Sequence, residues 1–162
     1  MFTQSIFRSF LALTLVCLVN FSFATNPNPP SEMMIMLRAG TAVSLTLNEE
    51  FSADEVAVGN SIDFMVRSNV TVNGKVVIAA GSIAEGWVKK VRSKCDSKCK
   101  CSDNQCSTIT ITVESVQAVD GQRIYLRSIP HTIKAPCCNK NANANIGTNL
   151  SARVLNDVKI NA

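Results

Sequence analysis

The chain has 162 residues, with 16 basic and 12 acidic side chains and a formal net charge of +4. So small an excess of charge gives no reason to expect a nucleic-acid binder, which concentrates Lys and Arg on one face. One histidine and no Gly-x-Ser-x-Gly leave a serine hydrolase without its usual parts, and no Gly-rich phosphate loop is present.

The chain starts with a leader pattern. Arg8 lies near the N-terminus, residues 10–19 form an apolar run, and Ser22-Phe23-Ala24 ends it with small residues at the positions a signal peptidase reads. We expect residues 1–24 to be a signal peptide cleaved after Ala24. The run is too short to span a bilayer, which takes about 20 apolar residues. Val16 before Cys17 argues against a lipid-modified start. No later apolar segment could cross a membrane as a helix. Residues 25–32 (TNPNPPSE) form a proline-rich linker, and residues 33–162 are expected to be a single domain.

Within that domain, Met33 to Leu37 reads as a first strand, with the methionines as core filler. Ala39-Gly40 turns the chain. Thr41 to Leu47 then alternates, with Val43, Leu45 and Leu47 on one face. Glu49, Glu50, Asp54, Glu55 and Asp63 make an acidic stretch whose paired carboxylates suit a solvated loop better than sugar cleavage. After Gly59-Asn60, Ile62, Phe64 and Val66 share a face. Val70 to Val72 and Lys75 to Ile78 flank Asn73-Gly74, the dipeptide of a type I′ hairpin turn.

Ile83 to Val91 is the next strand. Gly86 inside it predicts a bulge or a sharp bend. Trp87, Tyr125 and Phe64 are expected in the core. Thr108 to Val119 is the return strand. Ile109, Ile111 and Val113 are in phase, whereas Val116 and Ala118 are out of it. A bulge near Glu114-Ser115 would restore the buried face. Asp120-Gly121 is a second turn, and Ile124 to Leu126 follows it. Residues 130–145 read as irregular, with His131 as a loop residue. Gly147 to Ile160 reads as a closing strand. Its start, Ile146-Gly-Thr-Asn-Leu-Ser-Ala-Arg-Val-Leu155, echoes Ala39-Gly-Thr-Ala-Val-Ser-Leu-Thr-Leu-Asn48, as though two equivalent strands opened and closed one shell.

About eight short strands with no sustained helical period predict an all-β fold. The expected form is a small, mostly antiparallel β-barrel, with a β-sandwich as the alternative and a cysteine-rich hairpin excursion at residues 93–107. Lys89, Lys90, Arg92, Lys94, Lys98 and Lys100 make the excursion and its stem basic.

Leu37-Arg-Ala-Gly-Thr, Val58-Gly-Asn, Val72-Asn-Gly-Lys-Val-Val-Ile, Ala80-Gly-Ser-Ile-Ala-Glu-Gly-Trp-Val, Val119-Asp-Gly-Gln-Arg-Ile-Tyr-Leu and Ile146-Gly-Thr resemble, in order, an exported bacterial β-barrel module. The pattern is distantly similar to the barrel domain of type IV secretion core-complex proteins. The resemblance implies a barrel and an envelope or extracellular setting, and it carries no catalytic residue.

The unusual chemistry lies in the cysteines. Cys17 leaves with the leader. Cys95, Cys99, Cys101 and Cys106 crowd the excursion, and Cys137-Cys138 follow some 30 residues on. An even number of cysteines in an exported chain predicts disulfides, and six leave more than a dozen connectivities open. Each bridge closing about 15 residues adds on the order of 3 kcal/mol in the chain-entropy model. The alternative is a soft-metal site, for zinc or cuprous copper, with neighbouring lysines favouring thiolates. No paired Cys-x2-Cys supports that alternative. Asn69-Val-Thr71 and Asn149-Leu-Ser151 match the glycosylation pattern, incidentally in a bacterial chain. The function these readings favour is a non-enzymatic binding or structural module, exported to the periplasm or beyond. Its partner would be an envelope protein or a polysaccharide.

Overall fold

The computed structural model describes residues 34–93, 106–136 and 140–162. The expected leader and linker and five of the six later cysteines lie outside these residues. Six strands form the wall: β2 (Ala42–Leu47), β4 (Ser61–Val66), β7 (Ile83–Arg92), β8 (Thr108–Gln117), β9 (Arg123–Ser128) and β12 (Asn149–Val154). They pair antiparallel in the order β8-β7-β4-β2-β12-β9, and β9 pairs back onto β8, closing a six-stranded barrel. One further strand, β10 (His131–Lys134), lies outside this ring against the first half of β8. The expected barrel, rather than a sandwich, is what the chain forms.

The predicted alternation places the core. Val43, Leu45, Ile109 and Ile111 are fully buried, as is Phe64. The phase change in β8 also occurs where the sequence requires it. Glu85 opposes Ser115 but Gly86 opposes Val113, so Glu114 is an extra residue, and Val116 and Ala118 regain the buried face. A second extra residue, Lys89 in β7, compensates the register farther along. Gly86 needs its missing side chain. A Cβ there would lie 2.0 Å from the Thr112 carbonyl oxygen and 2.9 Å from Cε2 of Phe64.

The wall encloses two ends, and each is closed by a two-stranded ribbon. At the lower end β1 (Met34–Leu37) pairs with β13 (Val158–Asn161), with Leu37 opposite Val158. At the upper end β3 (Phe51–Ser52) pairs with β11 (Asn143–Ala144), with Ala144 opposite Phe51. The hairpin of β5 (Val70–Val72) and β6 (Lys75–Ile78) adds Val77 and Ile78 to the core beside the lower ribbon. Its Asn73 and Gly74 both take positive φ, 51° and 77°, as a type I′ turn requires.

The Gly-Thr echo is structural, and it extends beyond the two strands that suggested it. β2 and β12 are neighbours. The Gly40 N–H donates to the Val154 carbonyl, and the Gly147 N–H donates to the Leu47 carbonyl. The Thr41 hydroxyl donates to Arg38 and the Thr148 hydroxyl to Asn145, both at 2.7 Å. At the offset that relates Gly40 to Gly147, the pair Leu37–Val158 recurs as Ala144–Phe51, and Leu45 opposite Val66 of β4 has its counterpart in Ala152 opposite Ser128 of β9. A local two-fold between β2 and β12 therefore relates β1-β2-β3 to β11-β12-β13, and β4 to β9.

Several expectations are corrected. The segment 130–145 is not wholly irregular, because β10 and β11 lie in it, and His131 is a strand residue. The closing segment is two strands, split by a turn at residues 155–157. Met34 and Met36 face outward, at 68% and 37% exposure, so β1 buries Ile35 and Leu37 instead. Trp87 and Tyr125 also lie on the outer face, because alternation sets their in-phase neighbours Val88 and Ile124 inside.

Asp157 joins the two chain ends. Its carboxylate accepts the Ala39 N–H at 2.7 Å and Arg38 Nη1 at 3.1 Å. The Ala39 hydrogen bond, aided by Arg38 and opposed by slight desolvation, lowers its pKa below the ordinary 3.8. A depressed carboxylate pKa stabilises the fold above the unfolded value, and this is lost as pH falls through the folded one. Asp157→Asn should therefore lower Tm at neutral pH and flatten the decline of Tm below about pH 4, read by thermal melts across that range. Gly86→Ala should cost about 3 kcal/mol or more in urea unfolding, because the clashing atom is backbone and no rotamer change relieves it. An unchanged midpoint would contradict the β7–β8 approach.

Candidate functional site

Two places on the barrel carry polar groups that neither the core nor the turns require. One is at the upper end, where the cysteine-bearing segments leave the wall. β7 ends at Arg92, β8 begins just after Cys106, and β10 leads to Ala135. Ser107 ties these ends together. It is fully buried, its hydroxyl donates to the Arg92 carbonyl at 2.9 Å, and the same Ser107 Oγ accepts the Ala142 N–H at 3.0 Å. Its carbonyl accepts the Ala135 N–H at 2.9 Å. The stems of the 93–107 excursion and of the Cys137-Cys138 segment are thus held side by side. Nothing in the sequence marked Ser107. A small polar residue beside a cysteine has no distinctive pattern.

Cys106 is half-buried at this stem. Cys95, Cys99, Cys101, Cys137 and Cys138 lie outside the described residues. Among the described residues, no three of His, Cys, Asp and Glu converge as a metal would need. The acidic stretch locks turns. Glu49 accepts the Asp63 N–H at 2.9 Å, and Glu55 accepts the Ser52 N–H at 2.8 Å.

The second place is on the wall. Pro130 has no N–H to donate to a ladder, and β9 ends before it. β9 pairs with β12 only as far as Ser128 opposite Ala152. There the Ser128 hydroxyl replaces a strand contact by accepting the Val113 N–H at 2.9 Å, and it lies 3.0 Å from the Thr112 hydroxyl. The chain then steps through Ile129 and Pro130 and resumes as β10, farther up β8. The first half of β12, Asn149 to Ser151, is left paired with β2 alone.

A groove of about 500 Å³ opens at this step, lined by Arg67, Ile129, Pro130, His131, Leu150 and Ser151 among others. Ile129 is 88% exposed, and Leu150, in phase with the core, is only half-buried. His131 makes no hydrogen bond to Ser44 or Ser151, which share the groove, so no nucleophile–base contact is formed.

The surface beside the groove is cationic. The outward residues of β9, β12 and β2 include Arg123, Arg127 and Arg153 but no carboxylate. Arg127 directly opposes Arg153 across the β9–β12 pair, an unfavourable juxtaposition of like charge. Arg153 donates to the Gly40 carbonyl at 2.8 Å, and Arg123 reaches over β8 to Glu85 at 2.8 Å. The guanidinium groups of Arg67 and Arg127 have no hydrogen-bond or ion-pair partner among the described residues. Two smaller hollows, about 260 Å³ each, lie along β8 and β9, one between Trp87 and Arg127 and one beside the Arg123–Glu85 pair.

No family model matches the chain, and no curated protein matches its sequence. The groove and the Ser107 knot therefore stand on their own geometry.

Ser107→Ala would leave the buried Ala142 N–H without an acceptor, a loss of about 1–3 kcal/mol. Amide exchange should quicken at Ala142 while the Val43 and Ile111 amides stay protected. Uniform loss of protection would show that Ser107 supports the whole barrel instead.

Proposed function

We propose that this chain is an exported, non-enzymatic binding module of the bacterial envelope, and that it works through the groove between β10 and β12. The observation that carries this reading is the groove itself. A half-exposed core leucine, an exposed isoleucine and an unpaired arginine converge where the wall is incomplete. Exposed apolar surface and unpaired charge cost stability unless a partner uses them. The leader pattern and the resemblance to exported barrel modules support the setting.

The six cysteines serve this module as staples. Ser107 holds the two stems together, so a bridge between the segments requires no rearrangement of the wall. The same closeness favours a second reading, in which the thiolates hold zinc or cuprous copper.

Expressed with its leader in a Gram-negative host, the protein should be recovered from the periplasm or medium without residues 1–24. Its mass under non-reducing conditions should be that of six oxidised cysteines. Six free thiols with bound metal would favour the metal reading. Retention in the cytoplasm with the leader intact would overturn export.

A further inference from the structure

The groove also indicates what kind of partner it accepts. Resting on the binding-module reading above, we propose that it takes an extended acidic peptide segment of a partner protein, which adds a strand to the open edge of β12.

The backbone supplies the first argument. The Leu155 N–H donates to Tyr125 of β9, and the Val154 N–H donates to Thr41 beside β2. Backbone direction alternates along a strand, so the N–H and C=O of Ser151 and Asn149 point away from β2, toward the place β9 has left. On the far side, the Ala135 N–H is directed to Ser107 at the head of β8, so Thr132 and Lys134 of β10 present their backbone groups outward from β8. Among the described residues, β12 and β10 thus each turn ladder groups, those of Asn149 and of Thr132 and Lys134, to a side where no strand pairs with them. A sugar chain cannot satisfy a ladder, whereas a peptide satisfies it residue by residue.

The side chains supply the second argument. A strand laid along β12 would continue both faces of the wall. Its inward side chains would meet Leu150, so they should be apolar. Its outward side chains would lie beside Ser151 and the Arg127–Arg153 pair, with Arg67 across the groove, a surface without carboxylates. Anionic residues would relieve the Arg127–Arg153 repulsion and give Arg67 a partner. Period-two alternation of acidic and apolar residues is the recognition pattern that follows.

The test uses the mature secreted chain and four probes: a Glu-Val alternating peptide, its Lys-Val counterpart, the Glu-Val peptide N-methylated on its backbone, and polygalacturonate. Fluorescence anisotropy gives affinity, and amide exchange gives location. The Glu-Val peptide alone should bind and slow exchange at Asn149 and Ser151, and Arg67→Glu should weaken it about tenfold or more at unchanged Tm. Equal binding of the N-methylated peptide would overturn strand addition, and equal binding of the Lys-Val peptide would overturn the charge argument. Polygalacturonate binding that perturbs the groove, with no response to the Glu-Val peptide, would overturn the peptide class and leave the binding module standing. No response at Asn149–Ser151 to any probe would overturn both.

Discussion

The barrel depends on one close backbone approach, that of Gly86 in β7 to Thr112 in β8. Six strands make a tightly curved wall, and the β7–β8 pair contains its two longest members. Flat pairing over ten residues would carry β8 away from the ring. The extra residue at Glu114 bends the strand opposite Gly86 and lets its second half turn back to meet β9. A side chain at position 86 would push the strands apart and also displace the Phe64 ring, which fills the space. Ring closure, core filling and the inward phase of Val116 therefore share one geometric cause.

β8 serves two neighbours in succession, and the groove results from that division. Its second half pairs with β9 and its first half with β10. Pro130 forces the change of partner, and the Ser128 hydroxyl covers the gap it leaves on the β8 side. Among the described residues, nothing equivalent covers the β12 side. The opening is a consequence of connectivity, and the arginines around it give that opening a sign of charge.

Much of this was readable from side-chain periodicity. The strand positions, the Asn73-Gly74 turn, the phase slip near Glu114 and the Gly-Thr echo all follow from local patterns that the tertiary structure keeps. The misreadings have a common origin. Trp87, Tyr125, Met34 and Met36 look inward by residue type, whereas their strand neighbours Val88, Ile124, Ile35 and Leu37 occupy the buried phase. β3 and β11 are two residues each, too short for periodicity to register, and β10, His-Thr-Ile-Lys, has a single apolar residue and so no alternation to read; all three exist because their partners are already in place. The groove was not legible at all. It is built from residues far apart in sequence, and only the departure of β9 from β12 exposes it.

The two-fold that relates the halves of the chain is not matched in substance. The lower ribbon buries Ile35, Leu37 and Ile160, whereas the equivalent positions above are Ala142, Ala144 and Ala53, a deficit that buried Phe51, in the place of half-buried Val158, offsets only in part. Each methylene missing from the upper ribbon forgoes about 0.8 kcal/mol of burial. Identical topology thus yields a firm floor and a weak ceiling, and the ceiling belongs to the end from which the cysteine segments emerge. Cross-links there would reinforce the part of the shell that hydrophobic packing holds least, so oxidation would govern the order in which the two ends of the barrel come apart.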